Sequence, residues 1–248
     1  MLDRIRVVLV ETSLPGNIGS AARAMKTMGL SQLVLVGPRV FPSADASARA
    51  SGADDVLASA QVVGTLAEAL SGCRWVVGSS ARSRMVNWPL LTPRECAAQA
   101  RAMTAAGPVA LVFGRERSGL TNAQLDHCGA LVRIDANPAY SALNLAAAVQ
   151  VLCYELRVAA QQGVDPDAIM VSGEPILPAS QDQLEGFFNH FERTLVEIGF
   201  MDADNPRLLM RRLRRLFSRA RLEEDEINIL RGIFSALQKR AKLLAAQR

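Results

Sequence analysis

The chain has 248 residues, and half of them are hydrophobic, which is enough for one substantial core and a small second one. Apolar runs are too short to span a membrane and the first residues lack a signal-peptide pattern, so we expect a cytoplasmic protein. Four widely spaced cysteines form no Cys-x-x-Cys pair, which favours reduced thiols and no metal site. The net charge of +4 permits a polyanionic partner without requiring one.

Short runs rich in Val, Ile and Leu alternate with helical stretches through the first half of the chain. This alternation predicts an α/β fold with a parallel sheet, because strands buried on both faces are almost continuously apolar. The predicted strands are residues 5–10, 32–36, 74–78, 109–113 and 131–134, with 62–63 in a sixth. The predicted helices between them are residues 18–28, 66–70, 93–105 and 122–126.

A long helix is predicted over residues 141–161, with Ser141 as its N-cap. It is apolar on nearly all sides, which fits equally well with burial in the same chain or against a second copy. Residues 163–179 are rich in Gly and Pro and have the composition of a linker. We therefore predict a catalytic domain over residues 1–162 and a separate domain over 180–248.

Residues 180–248 are predicted to form a small all-helical domain of about three helices. The first begins with a capping box at Ser180, and the third has an acidic first turn at residues 223–226. Between them, residues 206–222 carry seven arginines and no acid. A helical wheel places the arginines opposite an apolar side made of Leu209, Leu213, Leu216, Phe217 and Ala220. Such a stripe is either a solvated face or a surface for an RNA backbone.

Three segments with conspicuous glycine and polar residues each follow a predicted strand. They are Asn17-x-Gly19-x-x-x-Arg23, Gly114-x-Glu116-x-x-Gly119 and Pro138-x-x-Ser141-x-x-Asn144. The carboxyl ends of parallel strands meet at one edge of a sheet, so these segments are predicted to build one site. The dinucleotide fingerprint, the phosphate loop, the hydrolase nucleophile elbow and metal-ligand spacings are all missing from the sequence. We therefore expect chemistry without a metal or a histidine base.

Each residue of these segments also has a simpler interpretation. Arg23 could be a solvated helix arginine rather than a group that faces a phosphate beside the free N–H groups of a helix start. Gly114 could belong to a tight turn with a local ion pair rather than admit a ligand to the backbone. Ser141 and Asn144 could cap the helix that follows them.

In this order and spacing, the three segments resemble the motifs of the SPOUT methyltransferases, most closely the branch that methylates ribose 2′-hydroxyls of RNA. Residues 10–13, 24–29, 80–84, 93–96 and 228–232 extend the resemblance over nearly the whole chain. These stretches are similar to the bacterial members that methylate nucleotide 32 of the tRNA anticodon loop. The resemblance implies a parallel sheet with a deep C-terminal trefoil knot, a homodimer, a tRNA substrate and S-adenosylmethionine as cofactor.

The resemblance also implies roles for individual residues. Arg23 lies at the ribose hydroxyl; because an arginine stays protonated, we expect it to clamp a phosphate and stabilise oxyanion charge rather than act as a base. Glu116, Ser141 and Asn144 complete the predicted catalytic set by positioning the ribose and the loops. The predicted cofactor contacts are Ser79, Ser80, Ala81, Gly114, Ile134, Ser141, Ala142 and Leu143. The predicted RNA contacts are Asn17, Arg82, Arg84, Arg115, Arg207, Arg211, Arg214 and Arg215.

Two alternatives remain open at the level of sequence. The same motifs are compatible with 2′-O-methylation of ribosomal RNA or of another tRNA nucleotide. The second alternative is a noncatalytic RNA-binding protein that keeps the fold. The presence of Arg23, Glu116, Ser141 and Asn144 argues against it. The base preference at the target and the way the helical domains engage tRNA do not follow from the sequence.

Overall fold

A computed structural model describes residues 1–80, 88–162, 178–203 and 208–246. The chain divides into two compact units, Met1–Val171 and Ser172–Arg248. The linker predicted over residues 163–179 lies almost entirely outside the described residues, so the proposed domain boundaries stay a prediction. Among the described residues, no helix combines the length and apolar character needed to cross a membrane.

The described part of the first unit contains a seven-stranded sheet in which every strand pair is parallel. Its spatial order is β3-β2-β1-β6-β4-β7-β5, so the chain crosses over repeatedly between non-neighbouring strands. The strands are β1 Ile5–Val10, β2 Gln32–Val36, β3 Gln61–Val63, β4 Trp75–Ser79, β5 Leu90–Leu91, β6 Val109–Phe113 and β7 Ala130–Val132.

Both faces of this sheet are buried under helices. The helices are α1 Pro15–Met28, α2 Ala44–Ala50, α3 Asp54–Ala58, α4 Leu66–Leu70, α5 Pro93–Met103, α6 Asn122–Leu125 and α7 Leu145–Gln161. Val7 and Leu9 of β1 join a core with α1, α5 and α7, whereas Val8 and Val10 join a second core with α4 and α6. Side chains of a strand alternate between its faces, so an uninterrupted apolar strand fills two cores at once.

The close contact between α1 and α2 depends on a glycine in the first sequence motif. A Cβ atom added to Gly19 would lie 1.9 Å from the backbone oxygen of Ala46 and 3.0 Å from the backbone nitrogen of Ala50. No side chain fits in that space. Gly19 is therefore required for the packing of two helices, and its place in the motif is explained without a ligand.

The structure confirms the parallel sheet and five predicted strands, and it extends the sixth to Gln61. The sequence prediction missed the two-residue strand β5 and the short helices α2 and α3, which have too few residues for a periodic pattern. It was wrong about the start of α7: the helix begins at Leu145, and Asn144 rather than Ser141 is its N-cap. The trefoil knot stays a prediction.

The second unit contains three described helices, α8 Gln181–Glu197, α9 Leu209–Ala220 and α10 Glu224–Ala246. The predicted capping box is present, with Ser180 and Gln183 each accepting a hydrogen bond from the other's backbone N–H. Its core is built around Phe187, which is fully buried and lies 5.1 Å from the rings of both Phe188 and Phe217. Aromatic side chains bury large areas, so this small unit obtains a core from few residues.

Candidate active site

The turn after β6 holds the second sequence motif in a closed shape. The backbone N–H of Gly119 donates to the carbonyl of Arg115 at 2.8 Å, and Gly119 has a φ of +67°. A Cβ atom on Gly114 would lie 2.2 Å from the carbonyl carbon of Gly119 and 2.3 Å from the nitrogen of Leu120. The returning turn therefore requires glycine at position 114, because it fills the space that a side chain would need.

Glu116, at the tip of this turn, accepts four hydrogen bonds from the segment that follows β1. Its Oε2 accepts from the backbone N–H of Ser13 at 3.1 Å and from the Ser13 hydroxyl at 2.8 Å. Its Oε1 accepts from the backbone N–H of Leu14 at 3.1 Å and from Nδ2 of Asn17 at 3.0 Å. Both carboxylate oxygens are thus saturated by donors of the same chain.

These bonds determine the charge state of Glu116. Partial burial raises the pKa of this carboxyl group, but hydrogen bonds from Asn17, the Glu116 backbone and Ser13 outweigh it and lower the pKa from 4.5 to about 2. Hydrogen bonds to the ionised form favour that form. Glu116 is therefore a fixed negative charge at neutral pH, and its low basicity makes it a poor proton acceptor.

Asn17 links Glu116 to the third motif. Its Nδ2 donates to Glu116, and its Oδ1 accepts from Nδ2 of Asn144 at 3.1 Å. Asn144 in turn caps α7 by accepting from the backbone N–H groups of Ala146 and Ala147 at 2.9 and 3.4 Å. We call the set Ser13, Glu116, Asn17 and Asn144 the carboxylate–amide network. Both ends of the buried Asn17 amide thus have a partner within the chain, and its predicted contact with the substrate stays a prediction.

A cleft lies against this network at the carboxyl edge of the sheet. Seven of the eight residues predicted to contact the cofactor line it: Ser79, Ser80, Gly114, Ile134, Ser141, Ala142 and Leu143. The eighth, Ala81, lies outside the described residues. Glu116, Leu145 and Ala148 also line the cleft. The lining therefore combines apolar and polar groups with three charged residues, Arg115, Glu116 and Arg117.

Arg23 is not brought into this cleft. It lies on the exposed side of α1, and its guanidinium has no hydrogen-bond or ion-pair partner among the described residues. Ser141 does line the cleft, but it neither caps α7 nor joins the carboxylate–amide network. Of the four predicted catalytic residues, the structure therefore brings Glu116, Ser141 and Asn144 together and leaves Arg23 apart.

The arginines predicted to contact RNA near the site have different surroundings. Arg115 borders the cleft and forms an ion pair with Glu11, which follows β1, rather than with a residue of its own turn. Arg82 and Arg84 lie outside the described residues. Ser13 and the backbone of Leu14 are the site groups that sequence reasoning missed. Two of their three hydrogen bonds to Glu116 come from backbone N–H groups, which residue types do not signal.

In the second unit, the structure corrects the predicted faces of α9. Arg214 points inward: its guanidinium donates to both carboxylate oxygens of Glu185 at 2.7 and 2.9 Å and lies 4.4 Å from the centre of the Phe188 ring. Leu216 and Ala220, predicted on the apolar side, are exposed instead. Arg214 therefore stabilises the helical core and is removed from the predicted RNA surface.

The remaining arginines of this stripe are more accessible. Arg212 and Arg219 are exposed and have no hydrogen-bond or ion-pair partner within the described part of the chain. Arg211 and Arg215 are half-buried on the same helix, and Arg207 lies outside the described residues. The described residues also contain no group of three or more His, Cys, Asp and Glu side chains that could hold a metal ion.

Comparison with known proteins decides the family. The sequence model of the SpoU rRNA Methylase family matches residues 4–154, more than half of the chain. This chain belongs to the SpoU methylase family. A second model, of the C-terminal domain of tRNA methyltransferase TrmJ, matches residues 182–246, so the membership extends to a branch with this helical domain. The resemblance inferred from the three motifs is confirmed.

Relatives within the SpoU family match along nearly their full length. The tRNA (cytidine/uridine/adenosine-2′-O-)-methyltransferase TrmJ of Pseudomonas aeruginosa is 56% identical over 254 residues, covering 100% of this chain and 99% of that protein. The tRNA (cytidine/uridine-2′-O-)-methyltransferase TrmJ of Salmonella typhimurium is 53% identical, covering 98% and 99%.

Solved structures give the same picture of the fold. The crystal structure of TrmJ from Z. mobilis has a TM-score of 0.81 at 36% identity, covering 94% of this chain and 98% of that one. An AdoMet-bound rRNA methyltransferase from Sinorhizobium meliloti has a TM-score of 0.51 at 25% identity, covering 62% and 56%.

Proposed function

We propose that this chain is a cytoplasmic, S-adenosylmethionine-dependent tRNA methyltransferase that modifies the ribose 2′-hydroxyl of nucleotide 32 in the anticodon loop. The observation that carries the proposal is the carboxylate–amide network beside the cleft, in a chain similar over its whole length to tRNA 2′-O-methyltransferases. The second unit supports a tRNA substrate, because its family model is that of a tRNA methyltransferase domain.

The cleft is the proposed cofactor site. Ser79, Ser80, Gly114, Ile134 and 141–143 would hold S-adenosylmethionine, together with Ala81. Leu145 and Ala148 would offer an apolar surface to the adenine ring. When bound, the cofactor supplies a methyl group on a sulfonium, a leaving group that needs no metal assistance.

The residues of this chain would act mainly by positioning. Transfer to a hydroxyl is accelerated when donor and acceptor are held at near-attack distance, and the carboxylate–amide network fixes three loops around the cleft. Glu116 does not take the hydroxyl proton, because its pKa is about 2 and its oxygens already accept four hydrogen bonds. Ser141 borders the cleft without a cap role and is free to orient the ribose.

Arg23 would serve the reaction across a homodimer. Its guanidinium lies outside the cleft of its own chain, on an exposed helix face without a partner among the described residues. A second copy that docks there would receive this arginine at its own cleft, where the guanidinium would clamp an RNA phosphate and stabilise developing oxyanion charge. The dimer thus reconciles the predicted catalytic role of Arg23 with its position.

Contact with the body of tRNA is proposed for α9 of the second unit. Arg212 and Arg219 present guanidinium groups that have no partner among the described residues, with Arg211 and Arg215 on the same helix and Arg207 before it in the sequence. Phosphate contacts by arginine supply sequence-independent affinity and position the RNA.

The deciding experiment incubates the purified protein with S-adenosylmethionine and an unmodified tRNA transcript, then maps 2′-O-methylation by nuclease digestion and mass spectrometry. Arg23→Ala is run in parallel, with Arg49→Ala as a matched control at an exposed arginine of α2. We expect a ribose methyl at nucleotide 32 that is lost in Arg23→Ala and kept in Arg49→Ala. Methylation of ribosomal RNA or of another tRNA nucleotide would replace the substrate, and cofactor binding without methylation of any RNA would favour a noncatalytic protein.

A further inference from the structure

One aromatic ring next to the cleft has no role in the arrangement described so far. Tyr140 is 81% exposed, and the three residues that follow it, 141–143, all line the cleft. An aromatic side chain gains free energy when its faces leave water, so an almost fully solvated ring beside a binding cleft is poised to pack against a ligand.

The backbone around Tyr140 is held in a tight turn. The side-chain Oδ1 of Asn137 accepts from the backbone N–H of Ala139 at 3.0 Å, and the Asn137 carbonyl accepts from the backbone N–H of Tyr140 at 2.9 Å. An asparagine side chain that accepts from the N–H two residues later is a common turn device. The ring is therefore presented from a turn fixed by hydrogen bonds, although it makes little contact with the protein itself.

No other described aromatic side chain presents an exposed ring beside the cleft. Phe113 also borders it, but the ring is 2% exposed, and Trp75 and Trp88 are buried in the cores. Tyr154 is exposed on α7, about 9 Å along the helix axis beyond Ala148, the last residue of that helix to line the cleft. Within the described part of the first unit, Tyr140 alone combines exposure with a place beside the cleft.

The proposed reaction requires an aromatic surface that can stabilise an unstacked base. To bring a ribose hydroxyl to the methyl donor, a loop nucleotide must leave its stack, and an unstacked base is stabilised by stacking on an aromatic side chain. Resting on the proposed function, we propose that Tyr140 is the platform on which the base of the target nucleotide stacks. It is a positioning residue: it fixes the nucleoside by the face of its base, so that the ribose lies over the cleft.

Stacking on Tyr140 predicts different effects for substitutions that remove the ring and for those that keep it. Every base has an aromatic face, so the contribution of Tyr140 is expected to be similar for cytidine and uridine at the target. Tyr140→Leu removes the ring and is expected to lower kcat/KM for tRNA about 10-fold or more, within the range that one base–aromatic stack spans. Tyr140→Phe keeps the ring and is expected to stay within about twofold of wild type, and both variants keep the wild-type Kd for S-adenosylmethionine.

The test combines kinetics with a fluorescent base. Wild type, Tyr140→Phe and Tyr140→Leu are compared in kcat and KM with tRNA, in cofactor titrations, and in binding to a tRNA that carries pyrrolocytidine at the target nucleotide. Pyrrolocytidine is quenched when stacked, so the complex with Tyr140→Leu should fluoresce more strongly than the wild-type and Tyr140→Phe complexes.

Three results would overturn the inference: unchanged kinetics and fluorescence in Tyr140→Leu, an equal loss in Tyr140→Phe, or a weakened Kd for S-adenosylmethionine in Tyr140→Leu. The second would assign the effect to the hydroxyl, and the third to the cofactor site. A wild type that binds this tRNA without methylating it would contradict the proposed function alone, and the fluorescence comparison would still decide whether the base stacks on Tyr140.

Discussion

Asn144 hydrogen-bonds to Asn17 at 3.1 Å while its other amide atom caps α7, so one side chain both begins a helix and ties it to α1. The two residues are 127 positions apart in the chain. The entry of α7 and the first turn of α1 are consequently fixed relative to each other beside the cleft.

Two substitutions separate these roles of Asn144. Asn144→Asp keeps a good N-cap but loses the donor to Asn17, so we expect stability within about 1 kcal/mol of wild type and activity at least about 10-fold lower. Asn144→Ala also loses the cap, and its unfolding free energy should fall by about 0.5–2 kcal/mol. Thermal unfolding and single-turnover methylation measure the two effects. Full activity in Asn144→Asp would show that the bridge to Asn17 is dispensable.

Glu116→Gln should reduce activity without introducing a pH dependence. The amide turns one acceptor into a donor that faces the N–H groups of Ser13 and Leu14 or the amide of Asn17, so the network cannot form intact. Wild-type kcat should show no inflection attributable to Glu116 between about pH 5 and 9, because its pKa of about 2 keeps it ionised there. An inflection removed by Glu116→Gln would make this carboxylate the base after all.

The same carboxyl group contributes to acid stability with a definite sign. Its folded pKa, about 2, lies below its ordinary value of 4.5, so the stabilisation is present above that value and is lost as the pH falls towards 2. Denaturant unfolding at a series of pH values should therefore give a flatter profile for Glu116→Gln in this window. Glu197→Gln, at an exposed acid of the second unit, provides the matched control. Parallel profiles for Glu116→Gln and wild type would contradict the linkage.

The two glycines of the turn after β6 should differ in sensitivity. Gly114→Ala places a methyl group against the backbone of Gly119 and Leu120, so the turn must open and both stability and cofactor binding should fall sharply. Gly119→Ala meets no atom within 4 Å and has only an unfavourable φ of +67°, which costs about 1–2 kcal/mol. Calorimetric cofactor titration and thermal unfolding rank the two variants. A larger loss in Gly119→Ala would reverse this assignment.

Arginines on α9 should separate into a structural and an RNA-binding group. Arg214→Ala leaves Glu185 without its partner and should destabilise the second unit by about 1–3 kcal/mol. Reversal of charge at Arg212 and Arg219 should leave stability nearly unchanged, weaken tRNA binding and flatten its dependence on salt. Filter binding at several salt concentrations measures this, and unchanged affinity in the double reversal would leave the stripe as a solvated face.

Mixing two variants expected to have low activity tests whether Arg23 acts across the proposed homodimer. Arg23→Ala keeps an intact cleft, and Asn144→Ala keeps the arginine. If Arg23 serves the partner's cleft, a mixed dimer contains one complete site, so co-refolded protein should recover part of the wild-type activity. If Arg23 serves its own cleft, every site in the mixture lacks one component and activity stays lost. Size-exclusion chromatography of each variant confirms that dimers are being compared.

Sequence predicted those parts of the structure that depend on local patterns. The parallel sheet followed from apolar runs such as 109–113, and the cleft lining followed from motifs placed after strands. Long-range partners could not be predicted: Arg214 belongs to the same stripe as Arg212, and only the position of Glu185 on another helix turns it inward. Similarly, Ser141 and Asn144 are both acceptable N-caps by residue type, and the contact with Asn17 favours Asn144.

Glu116 also determines where the phosphates of RNA can bind. The positive end of α1, where free N–H groups would ordinarily attract a phosphate, already receives a carboxylate of its own chain through Ser13 and Leu14. A phosphate brought to this helix start would meet a neutralised dipole and a like charge. On the proposed function, contact with the RNA backbone would therefore fall to arginine side chains rather than to the N-terminus of α1.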